Sequence, residues 1–166
     1  RAGAIGAGRI DDLYADFYEL EHDGGIAGGG LGGDVQFVGI DRHRRAVVEH
    51  PNHADWHYRL GLLLAGQGDL QGAIEHYAEA VRINPTYTKA RVKLGLALKD
   101  AGQTDRAIDE LSAALQVSPR FADVHYRLGL LYAEQKRLAE AADAFERSLA
   151  INGAAPEVRA NLATCL

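Results

Sequence analysis

A chain of 166 residues with 47% hydrophobic side chains is long enough for one domain and apolar enough to build a core. Its formal net charge of −5 comes from interspersed acids and bases, which speaks against a general nucleic-acid or membrane-surface binder. The single cysteine, Cys165, excludes an intrachain disulfide, and no apolar run approaches the roughly 18 residues of a membrane-spanning helix. The chain opens on Arg1 and holds no methionine, so it reads as a processed product or a fragment of something longer. Nothing in the composition fixes a compartment.

Residues 1–38 read as an arm. Ile10, Leu13, Tyr14, Phe17, Tyr18 and Leu20 fall on one face of a short helix, with Asp11, Asp12, Asp16 and Glu19 on the other. Residues 23–33 are mostly glycine, the composition of a flexible linker. Residues 35–38, Val-Gln-Phe-Val, read as a brief extended segment. Residues 39–53 hold a helix predicted over 40–50 and ended by Pro51, with Ala46 and Pro51 placed like Ala80 and Pro85 further on. It is the second helix of an incomplete repeat. A first helix is not expected before it, because glycine costs about 1 kcal/mol per residue in a helix interior.

From residue 54 the pattern recurs every 34 residues, over 54–87, 88–121 and 122–155. Leu60-Gly61, Leu94-Gly95 and Leu128-Gly129 align. So do the small residues Ala73, Ala107 and Ala141, the bulky Tyr77, Leu111 and Phe145, and the small Ala80, Ala114 and Ser148. A breaker closes each copy at Pro85, Pro119 and Gly153. Small residues let helices approach, bulky ones fill the space between them, and proline cannot continue a helix. The predicted helices are 54–66, 70–83, 88–100, 104–117, 122–135 and 138–151. Gly68 and Gly102 stand in the turns and Lys136 replaces glycine in the third. Residues 156–166, opening on Pro156, read as the first helix of a truncated fourth copy.

This period and register resemble those of the tetratricopeptide repeat family. The resemblance implies an all-α, right-handed solenoid of helix-turn-helix repeats, in which first helices line a concave groove that takes peptides or partner helices. Carried onto this chain, the groove positions include Tyr58, Val92 and Tyr126, the basic Arg59, Lys93 and Arg127, and Leu62, Leu96 and Leu130. A basic row over an aliphatic and aromatic floor suits an extended peptide with acidic side chains. Asp55 and Asp123 each precede an arginine of that row by four residues, the spacing of an ordinary intrahelical ion pair. In the middle copy Lys89 stands at that place before Lys93, making these two the best positive site. The lysine and asparagine clamp of the family's chaperone-tail binders is replaced by Tyr58 and Leu62.

Other chemistry finds little footing. His53 and His57 are one helical turn apart with His50 nearby, a spacing that can share a metal, but an interhelical packing role covers His57 and its counterpart His125. Gly3, Gly6 and Gly8 run in the reverse order of a dinucleotide fingerprint, and no nucleophile motif is visible. No catalytic residue, metal or cofactor is therefore expected. The leading expectation is a non-enzymatic scaffold or adaptor for a protein or peptide partner, with neither nucleic-acid binding nor membrane insertion. The alternative is a structural subunit joined end to end into an oligomer or filament, with Leu13, Phe17 and Leu20 of one copy meeting Val158, Leu162 and Leu166 of another. A third reading, the substrate-selecting arm of a larger enzyme, is permitted and no more.

Overall fold

The computed structural model describes residues 34–166, with side chains from residue 39 onward. These residues form α1 (Asp34–Glu49), α2 (Ala54–Gly66), α3 (Leu70–Ile83), α4 (Thr88–Asp100), α5 (Thr104–Val117), α6 (Ala122–Glu134), α7 (Leu138–Ile151) and α8 (Pro156–Cys165). There is no strand among them. The helix expected before residue 22 and the glycine segment lie outside the described residues. Two compact units are present, one ending at Pro85 and one running from Thr86 to Leu166.

In the first unit α1 packs on the hairpin of α2 and α3. Residues 35–38 belong to α1 and are helical, not extended as the sequence suggested. Once a helix is nucleated each further residue adds a hydrogen bond, and this outweighs the weak strand preference of four residues. Gly68 makes the α2–α3 turn at φ +83°, and Asp69 caps α3 by accepting from the Gly72 amide at 2.9 Å. Gly61 lies against the Tyr77 ring, where an added Cβ would stand 2.6 Å from Cε1. The Leu-Gly register therefore marks a close helix crossing.

The second unit holds the hairpins α4–α5 and α6–α7, packed through α5 and α6, with α8 laid on α7. The repeated small residues are sealed inside: Ala107, Ala114 and Ala141 are fully buried, and Ser148 nearly so. Ser148 Oγ donates to the Ala122 carbonyl at 2.8 Å, which pins the start of α6 to α7. Leu111 and Phe145 fill the hairpins as Tyr77 does in the first unit. The helices stop where the breakers stand, at Val117 before Pro119 and at Ile151 before Gly153. Lys136 takes the turn position of Gly68 and Gly102 and adopts their left-handed backbone, at φ +61°. Val158 of α8 joins Phe145 and Ala141 in one core cluster, with Leu162 and Cys165 packed on its edge.

Candidate functional site

Each predicted groove residue sits on a first helix of a hairpin. Tyr58, Arg59 and Leu62 share α2 in the first unit. The Tyr58 ring lies 6.1 Å from that of Tyr77, and both Tyr58 and Leu62 are buried. Arg59 Nε donates to Asp55 at 2.7 Å, the intrahelical pair that the spacing called for. An exposed pair of this kind contributes about 0.3–0.5 kcal/mol.

The second unit carries the other seven. On α4, Lys89 is exposed while Val92, Lys93 and Leu96 are half-buried, so two ammonium groups one turn apart border an aliphatic strip. Leu94, Ala97 and Leu98 of the same helix are sealed inside. On α6, Tyr126 tilts over Phe145 at 5.9 Å between ring centroids, Leu130 packs on the same core cluster, and Arg127 pairs with Asp123 at 2.7 Å. Asn161 of α8 donates to the Tyr126 hydroxyl at 3.2 Å. That residue was missed in the sequence. It stands at the sixth position of the truncated copy, the place of Lys93 and Arg127, and the period itself would have found it.

A second set of contacts also escaped sequence reasoning. In two hairpins the fourth residue of the first helix faces the fourth residue from the Ala73-type position on the second helix. In the first unit the pair is His57 and His76, with their Nδ1 atoms 3.0 Å apart. In the α4–α5 hairpin it is Arg91 and Glu110, an ion pair at 2.8 Å with both side chains half-buried. His125 occupies the place in α6 and directs Nε2 to the Pro119 carbonyl at 3.0 Å, as His57 does to Pro51 at 3.1 Å. Both histidines are buried, and His57 makes the interhelical contact expected of it. His53 is exposed at the start of α2, its ring beside Trp56. Among the described residues no three His, Cys, Asp or Glu side chains gather as a metal would require.

The proposed self-association residues are divided. Val158 is buried in its own unit and Leu162 packs beside it, whereas Leu166 is 89% exposed. Leu13, Phe17 and Leu20 lie outside the described residues. Among those residues no helix is long and apolar enough to cross a membrane.

The tetratricopeptide repeat model matches residues 40–88 and 92–156, well over half of the chain. The chain belongs to the tetratricopeptide repeat family. Solved relatives agree in fold. A crystal structure of MamA gives a TM-score of 0.73 at 25% identity, covering 76% of this chain and 74% of that one. A MamA structure from Desulfovibrio magneticus RS-1, residue 41 to its end, gives 0.73 at 18% identity, covering 98% and 85%. YrrB, described as a TPR protein with an unusual peptide-binding site, gives 0.71 at 21% identity, covering 93% and 73%. No curated protein matches this chain. Tetratricopeptide repeat proteins are protein-interaction scaffolds, and that coarse function holds for this one.

Proposed function

We propose that this protein is a non-enzymatic adaptor that binds an extended, acidic peptide along α4 and α6 of the second unit. Lys89 and Lys93 supply charge, Val92, Leu96 and Leu130 an apolar floor, and Tyr126 with Arg127 a mixed aromatic and cationic edge. The observation that carries the reading is the pair Lys89 and Lys93 one turn apart on α4, beside the half-buried Val92 and Leu96. A repeat protein builds such a surface before any ligand arrives, which lowers the ordering cost of binding. The peptide-binding site named for YrrB supports the reading by analogy of fold. The test is selection from a displayed peptide library. Enrichment of acidic peptides by the parent, and its loss with Lys93→Glu, supports the proposal; enrichment that ignores charge refutes it.

End-to-end association through the last helix is the second reading. The burial of Val158 narrows the available surface to Leu166 and the outer side of Leu162. Light scattering of the parent and of a variant lacking residues 1–33 tests it. Assemblies that vanish on deletion support the arm as connector, and a parent that stays monomeric at high concentration ends the idea.

A further inference from the structure

The two histidines of the first hairpin share a single proton between them. His57 is only 6% exposed, and its Nε2 faces the Pro51 carbonyl, which can only accept. Nε2 therefore carries the hydrogen, Nδ1 holds a lone pair, and His76 Nδ1 must be the donor across the 3.0 Å contact. The resulting chain of bonds runs from the end of α1, through α2, to α3. It ties the partial repeat to the hairpin that follows it.

We propose that the His57–His76 contact is a proton-sensitive joint that holds α2 and α3 of the first hairpin together at neutral pH and loosens as the solution is acidified through the histidine range. One added proton still leaves one Nδ1 able to donate to the other, but it places a cation half-buried between α2 and α3. With both rings protonated two N–H donors stand face to face, and the bond is lost.

The surroundings decide how readily that happens. Burial is the main influence holding His76 below the ordinary histidine value of 6.5, followed by His57 on α2. Arg44 on α1 acts in the same direction, while Glu75 on α3 and Asp69 in the turn oppose it. Glu79, also on α3, feels both histidines but is engaged by Arg82. Because the folded-state value of His76 is depressed, the unfolded chain takes up the proton more readily. The stabilisation is fully present above pH 6.5 and is lost as the pH falls below it. The equivalent place in the second hairpin holds Arg91 with Glu110, and in the third the repeat register pairs His125 with Ala144, which does not titrate. The joint is confined to the first unit.

The test is thermal melting of the full chain at about pH 7.5 and about pH 5.5, for the parent, His76→Gln and His53→Gln. Glutamine can still donate to His57 Nδ1 but does not titrate. The expected result is a drop in melting temperature of the parent on acidification, shrunk by at least about half in His76→Gln and unchanged in His53→Gln, whose side chain is exposed. An equal drop in all three overturns the proposal. Imidazole NMR of the parent gives an independent reading should His76→Gln fold poorly. A His76 signal titrating below 6.5 supports the joint, and one titrating at or above 6.5 refutes it.

Discussion

The hairpins α2–α3 and α6–α7 are two answers to one design, and their differences show which positions the fold dictates. In both, a glycine lies against a buried aromatic ring, Tyr77 in one and Phe145 in the other. In both, a first-helix tyrosine tilts over that ring at about the same distance, 6.1 Å for Tyr58 and 5.9 Å for Tyr126. Aspartate–arginine pairs at 2.7 Å and histidine bonds to a proline carbonyl are repeated as well. They part where packing leaves a choice. Ala80 gives way to Ser148, which gains a bond to the start of the hairpin's first helix; His76 gives way to Ala144; and Gly68 gives way to Lys136. The lesson is that close crossings fix residue type, whereas turns and hairpin edges are open to substitution.

The strongest way to break this comparison is to empty the ring position. Phe145→Ala should cost about 3–5 kcal/mol in a denaturant titration, and Tyr77→Ala a similar amount, since both side chains are almost wholly buried. Two very different losses would mean that the rings do not play one part. The glycine beneath each ring comes next. Gly61→Ala and Gly129→Ala should each destabilise by about 1–3 kcal/mol despite alanine's better helix propensity, because a rigid ring must move. Gly95→Ala, which meets the rotatable Leu111 side chain at 2.8 Å, should cost less.

The turn sharpens the comparison in the opposite sense. Lys136 holds φ +61°, where a Cβ is strained, so Lys136→Gly should raise stability by about 1 kcal/mol, measured as a shift in the chemical midpoint. A loss instead would show that the lysine side chain repays its strain. The smallest effect belongs to the surface. Asp123→Asn removes the partner of Arg127 and should change stability by no more than about 0.5 kcal/mol at moderate salt.

Most of this fold was legible because a close crossing leaves its mark at a fixed period. Leu-Gly, the alternating small and bulky residues, and the breakers placed six helices from α2 to α7 to within a residue. Local propensity failed at residues 35–38, where a strand-like quartet is carried into α1 by the helix that follows it. The basic row was visible as a row. That Arg59 and Arg127 would lie in ion pairs followed from their spacing, but that Asn161 would reach Tyr126 required the path of α8. The His57–His76 bond was hidden for a different reason. It joins two helices through a pair of positions that hold other chemistry in the remaining copies, so no repeat signal points to it.

The central claim is that the face of α4 and α6 carries the ligand, and one titration tests it most directly. An acidic peptide selected on the parent is fluorescently labelled, and its anisotropy is followed against the parent, Lys93→Glu and Tyr126→Ala, with helix content checked by circular dichroism. The account predicts unchanged helicity, binding weakened about tenfold or more by the charge reversal, and a smaller loss on removing the tyrosine ring. Equal affinity for all three proteins would contradict it and place the ligand on another surface.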